Sequence, residues 1–155
     1  DVGPALDPKG VEFIMGYLGR NPAAKTYEEA AAAMARAFPE FHGVPESRWL
    51  EEVKRHYRAT DDGLKITYDP HLRDAVAAAG QQAVDLWPFF DALQGLPLVT
   101  IRGANSTLFS RETLMQMQAR RPDMIVAEVP DRGHVPFLDE PQALAALHEW
   151  IGQIK

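Results

Sequence analysis

From Pro8 the apolar residues Val11, Ile14, Met15 and Leu18 recur at i, i+3, i+4 and i+7, a spacing that gathers side chains on one face of a helix. Pro8 suits the first turn of that helix, where a missing N–H leaves no bond unmade, and Gly19 and Pro22 end it. Thr26 and Glu29 have the spacing of a capping box and open TYEEAAAAMARAF, whose Ala30, Ala33, Met34, Ala37 and Phe38 form a narrow apolar stripe. A third helix is predicted from about Ser47, with Trp49, Leu50, Val53 and Tyr57 on one side and charged residues between Glu51 and Arg58 on the other. Asp61-Asp62-Gly63 marks a turn, LKITYD alternates weakly, and Pro70 begins a short helix that runs through Val76 to Gly80.

After VDLWPFFDALQG, which is aromatic and interrupted by Pro88, the pattern changes. Leu98 to Ile101 is a short β-branched strand ended by Gly103, Ser110 to Arg120 reads as a helix, and Met124 to Val129 is a second apolar strand. Pro141 to Ile154 is a helix with Leu144, Leu147, Ile151 and Ile154 on one face. Strand, helix, strand, helix at this spacing predicts parallel strands joined by a crossover, so the fold class is α/β. The chain divides into a helical segment, residues 1–86, and a βαβα segment, residues 87–155. Two parallel strands alone make a poor sheet, because strands apolar on both faces need neighbours on both edges. The tail therefore reads as the corner of a larger sheet. The opening Asp1-Val2-Gly3-Pro4, with no initiator Met and no element leading into the turn, reads as part of something longer.

The 155 residues are 46% hydrophobic and 25% charged, as in a globular protein. A net charge of -6, with 16 scattered Lys and Arg residues, argues against nucleic acid as a partner. The absence of Cys excludes disulfides, thiolate catalysis and zinc-thiolate sites. No apolar run has the length of a membrane helix and no leader is recognisable, so a soluble, cytoplasmic protein is expected.

The candidate chemistry lies in DRGHVPFLDEP, which follows the apolar run MIVAEVP and precedes the last helix. A loop at a strand end is where a rigid scaffold presents a reactive side chain, and His134 occupies that loop. Asp131 suits a turn, Asp139 and Glu140 suit the start of the helix, and Pro141 suits its first turn. His42, His56, His71 and His148 form no HExxH and no close pair, and they are read as structural.

DVGPALDPKG, VDLWPFFDALQGLPLVTIRGANS and VPDRGHVPFLDEPQALAALHEWI resemble the C-terminal half of the α/β-hydrolase fold, across essentially the whole chain. The resemblance implies the end of strand six and a helical lid in residues 1–86, then the last two strand-helix units of the core in 87–155. It makes His134 the catalytic base, with Gly133 allowing the sharp backbone turn beside it. The family's acid usually stands after strand seven, but the aligned Ser106 and Thr107 of RGANSTLFS are not carboxylates. Some hydrolases take the acid from the end of strand six, and Asp1 stands there. Neither Gly-x-Ser-x-Gly nor Gly-x-Asp-x-Gly occurs, so the nucleophile is expected outside this chain, and the chain alone is expected to be inactive.

The expected parent is a cofactor-independent hydrolase of a small, largely apolar ester or related carbonyl substrate. Two alternatives stay open: an Asp-nucleophile hydrolase of epoxides or carbon–halogen bonds, and a non-catalytic module that keeps the ligand pocket. Tyr17, Trp49, Trp87 and Phe137 are candidates to line that pocket, Trp87 and Phe137 ahead of the others, although such aromatics more often pack helices together. The expected partners are a small-molecule substrate and a missing N-terminal half, or a second copy, covering the strand-seven edge.

Overall fold

Thr26 opens its helix in the way its spacing requires. In this computed structural model, which describes residues 1–80 and 84–154, the Glu29 N–H donates to Thr26 Oγ1 at 3.2 Å. Glu29 Oε2 accepts from the N–H groups of Lys25 at 2.9 Å and Thr26 at 3.4 Å. One first-turn N–H, that of Glu29, and the two N–H groups leading into the helix, those of Lys25 and Thr26, thereby find acceptors. Thr26→Ala is expected to destabilise the helix by about 1 kcal/mol, read as a lower urea midpoint with an unchanged m-value.

The elements in chain order are α1 (Pro8–Tyr17), α2 (Tyr27–Ala37), α3 (Glu46–His56), β1 (Tyr57–Thr60), β2 (Gly63–Ile66), α4 (Leu72–Gly80), α5 (Trp87–Asp91), β3 (Val99–Gly103), α6 (Arg111–Arg120), β4 (Ile125–Val129) and α7 (Pro141–Gln153). They form two compact units, one of Asp1–Glu12 with Val84–Lys155, the other of Phe13–Ala83.

In the second unit α2 packs on α3 around Ala30, Ala31, Trp49, Val53 and Leu64. The stripe of α2 differs from the one expected: Ala30, Ala31, Met34, Ala35 and Phe38 face the core, whereas Ala33 and Ala37 are exposed. A run of alanines is apolar all round, so its packed face is decided by the partner helix. Tyr57 also departs from expectation. It stands four residues after Val53, as a helix stripe requires, yet α3 stops at His56 and Tyr57 begins β1. β1 pairs antiparallel with β2, Tyr57 opposite Ile66 and Thr60 opposite Gly63, around the Asp61-Asp62 turn. Gly63 has φ 119, which a residue with a Cβ rarely adopts.

In the first unit β3 and β4 are parallel, with Val99 opposite Ile125 and Gly103 opposite Val129. One face of the pair carries Ile101, Ile125, Ala127 and Val129, covered by Ala143 and Ala146 of α7 with Leu147 and Trp150 beside them. Leu98 and Val126 pack instead with Trp87, Phe90, Phe109, Leu114, Met117 and Met124. Helices thus cover both sides of a short parallel pair, a layered α/β arrangement.

The face of α7 that packs is not the expected Leu144, Leu147, Ile151, Ile154 stripe. Leu144, Ile151 and Ile154 are exposed, and the sheet is met by small Ala143 and Ala146, which let the helix approach closely. Trp150 closes that contact, its Nε1–H donating to the Pro97 carbonyl at 3.0 Å.

Candidate functional site

His134 lies between β4 and α7 on a loop fastened to the end of β3. The Ala104 N–H donates to the Val129 carbonyl at 2.8 Å and the Asn105 N–H to the Arg132 carbonyl at 2.9 Å. Gly103 sits directly against the Gly133 carbonyl, and a Cβ there would come within 2.5 Å of the Arg132 carbonyl oxygen. The two strand-end loops cross with no room for a side chain at Gly103. The His134–Val135 peptide is cis.

The first residues reach the same place from another direction. The Asp7 N–H donates to the Leu108 carbonyl at 2.9 Å, and Gly10 packs directly on the Leu108 backbone. Gly3 rests on Phe109 and Thr113, each 2.7 Å from where a Cβ would stand. Docked so, the segment brings Asp1 Oδ2 to 3.5 Å from His134 Nδ1. The Asp1 side chain is 1% exposed and that of His134 is 21% exposed. A carboxylate shielded from water beside one imidazole nitrogen favours the tautomer with its proton on that nitrogen, and it stabilises the imidazolium.

The loop after β3 is occupied by other work. Ser106 Oγ accepts from the Phe109 N–H at 3.2 Å, closing a turn, which is the plain turn chemistry its type favours. Arg102, at the end of β3, has a side chain 6% exposed. Its Nε donates to the Phe109 carbonyl at 2.7 Å, Nη1 to the Ala104 carbonyl at 3.1 Å and to Glu128 Oε1 at 2.9 Å, and Nη2 to the Ser106 carbonyl at 3.4 Å. Arg102 and Glu128 stand opposite each other in the strand register. Sequence reading passed over this residue. Its signal was a charge inside a β-branched strand, two residues from Thr100 on the same side, answered by Glu128 in the next strand.

Glu140 stands where the sequence places it, at the start of α7, but its side chain serves the loop before the helix. It is the N-cap residue, yet its side chain caps nothing there. Its buried carboxylate turns back, accepting from Arg132 Nε at 2.9 Å, the Phe137 N–H at 3.2 Å and the Leu138 N–H at 2.9 Å. Asp131, read as a turn acid, has φ 58, a conformation Asp tolerates better than most residues.

Of the four candidate pocket residues, Phe137 shares the His134 loop, half-buried with the Arg132 guanidinium 5.4 Å from its ring centre. Trp87 lies in the same unit, edge-on to Phe90 at 6.0 Å, with the Arg120 guanidinium 4.3 Å over its ring. Trp49 and Tyr17 belong to the other unit. Trp49 is a core ring there, stacked on Phe38 at 6.4 Å and edge-on to Phe41 at 5.6 Å. Tyr17 meets Phe13 and Phe38 edge-on. Desolvation raises the pKa of its phenol, and Tyr68, Tyr57 and Glu40 raise it further, so it keeps its proton. Among the described residues, no group of His, Asp or Glu is placed to hold a metal ion, and no helix is long and apolar enough to cross a membrane.

No family model matches the chain. A 3-hydroxybutyrate-oligomer hydrolase of Cupriavidus necator is 37% identical over 157 residues, a match spanning 94% of this chain and 52% of that protein. The crystal structure of an alpha/beta hydrolase from Novosphingobium aromaticivorans matches with a TM-score of 0.85 at 32% identity, over 98% of this chain and 54% of that one. The chain belongs to the α/β-hydrolase superfamily. A putative hydrolase from Rickettsia typhi covers 100% of this chain with a TM-score of 0.77, and an E-2-(acetamidomethylene)succinate hydrolase covers 98% with 0.76, over 52% and 55% of their own lengths. Both are 20% identical and share the fold. This α/β-hydrolase chain spans about half the length of the relatives it matches, and the reading as the C-terminal half of the fold fits that share.

Proposed function

We propose that the chain supplies the base, the orienting acid and the lid of a cofactor-independent hydrolase acting by Ser-His-acid chemistry on an ester or related carbonyl substrate. What carries the reading is the 3.5 Å between Asp1 Oδ2 and His134 Nδ1, with the carboxylate almost wholly shielded from water. In this reading Asp1 holds the proton on Nδ1, leaving Nε2 with its lone pair. Nε2 takes the proton of a serine hydroxyl as the oxygen attacks the carbonyl carbon, and the imidazolium returns it to the departing alkoxide, releasing the alcohol. Water then repeats the sequence on the acyl-serine: Nε2 takes its proton, the acyl–oxygen bond breaks, and serine recovers its hydrogen. The separation is loose for a hydrogen bond, as such contacts often are before substrate binds.

The serine and the oxyanion donors come from residues outside this chain, and the helical segment within residues 1–86 serves as the lid. The edge of β3 away from β4 takes its next strand from the same source. The relative named for 3-hydroxybutyrate oligomers makes short hydroxyalkanoate oligoesters the first substrates to try. A second reading, a ligand-binding module without catalysis, is favoured by the absence of a carboxylate between Gly103 and Arg111.

The test joins this chain to a nucleophile-bearing half and follows acid release from a 3-hydroxybutyrate dimer. Turnover that falls to background with His134→Ala is the expected result, and turnover indifferent to that change overturns the reading. The isolated chain is expected to hydrolyse p-nitrophenyl acetate no faster than buffer. Activity there that disappears with His134→Ala would mean that the chain holds its own nucleophile.

A further inference from the structure

We infer that Glu140 is a positioning residue that fixes where the His134 ring stands relative to Asp1. The loop from Arg132 to Glu140 has no regular structure to set its path, and His134 lies in its middle. Glu140 grips it on both sides of the histidine: Oε1 takes Arg132 Nε before it and the Phe137 N–H after it, and Oε2 takes the Leu138 N–H. The Arg132 carbonyl is meanwhile held by the Asn105 N–H, so the first grip is tied through Arg132 to the end of β3. Arg132 also lies over the Phe137 ring, joining the two grips to each other.

The second grip holds a conformation the backbone would otherwise leave. Leu138 has φ 68, a left-handed geometry in which a Cβ crowds the neighbouring carbonyl. Such residues persist where surrounding structure over-determines them, and the Glu140 carboxylate supplies that constraint. A helix N-cap carboxylate ordinarily accepts from N–H groups of its own first turn, and this one makes no such bond. Its bonds run instead to the loop that precedes it. Helix α7 is packed on the sheet through Ala143 and Ala146, so the carboxylate is anchored to the rigid part of the unit. Positioning by a buried, fully engaged partner of this kind is what keeps a reacting group near its productive geometry.

The inference rests on His134 being the base; its test does not depend on turnover. Ring resonances of His134 are recorded in the 155-residue chain by long-range 1H–15N spectroscopy, with the exposed His148 as internal reference for a solvated imidazole. The Trp150 indole N–H, bonded to the Pro97 carbonyl, reports whether α7 still sits on the sheet. Expected for Glu140→Ala is loss of the wild-type His134 signal and a shift toward that of His148, with the Trp150 peak in place. Glu140→Gln keeps an acceptor oxygen for one of the two backbone N–H groups but loses the other and the ion pair, and an intermediate shift is expected. A His134 signal unmoved in Glu140→Ala with Trp150 in place overturns the inference. So does collapse of the Trp150 peak in both variants, which would assign Glu140 to holding the whole unit together. Failure of the hydrolase reading would leave these spectra unchanged, and failure here would leave His134 and Asp1 as base and acid.

Discussion

Asp1→Asn is expected to lower kcat of the assembled hydrolase by about 10³- to 10⁴-fold while KM stays near the wild-type value. The amide has the shape of the carboxylate, so the segment stays where Gly3 sets it against Phe109 and Thr113. It lacks the charge that stabilises the imidazolium, and it can offer an N–H where Nδ1 also carries one, turning the ring to the wrong tautomer. The defect therefore falls on the chemical step and not on binding. Stability moves differently. Asp1 is 1% exposed at its side chain, and a buried charge is costly to desolvate, so the melting temperature is not expected to fall. A kcat within tenfold of wild type, with the fold intact, would place the acid on another residue.

That candidate shows what a sequence can and cannot display. His134 stands out as a candidate because three local signals coincide: an apolar strand, Gly133 in a tight turn, and Pro141 opening a helix. Asp1 has no local signal. It and His134 lie near opposite ends of the chain, so no spacing motif connects them, and the resemblance to a fold with a known path was needed to pair them. Glu140 fails in the opposite way: its position before a helix suggests a standard role so strongly that the real one, accepting from the preceding loop, is hidden. The choice between those roles depends on where Arg132, Phe137 and Leu138 come to rest in space.

The elements divide along similar lines. The starts of α1, α2 and α7 were legible because Pro8, Thr26 and Pro141 each solve a bonding problem at a helix end, a matter of a few neighbouring residues. β3 and β4 were legible as short apolar, largely β-branched runs, β3 buried along most of its length and β4 buried at alternate positions. β1 was not, because Tyr-Arg-Ala-Thr fits a helix end as well as a strand, and pairing with β2 decides between them. The packed face of α7 was misread because weight was given to Leu and Ile, whereas close approach to a sheet selects small residues.

Arg102→Met is expected to lower the free energy of unfolding by about 3 kcal/mol, measured by urea denaturation followed through tryptophan fluorescence. Methionine fills much of the volume of the arginine stem, so little of the loss comes from packing. What is lost is a donor set: the carbonyls of Ala104, Ser106 and Phe109 each give up an arginine N–H, and Glu128 loses its buried partner. Glu128 is one-third exposed and keeps Arg111 at 3.7 Å, so its charge is relieved more easily than the backbone carbonyls. For that reason Arg102→Met with Glu128→Leu is expected to recover only a minor part of the loss, where a simple ion pair replaced by apolar groups would recover most of it. The same loop is fastened to the His134 loop through Ala104 and Asn105, so the His134 ring signal is expected to shift with it. A loss below about 1 kcal/mol, within the range of an ordinary surface substitution or a single neutral hydrogen bond, would mean that the loop after β3 is held by its own turns.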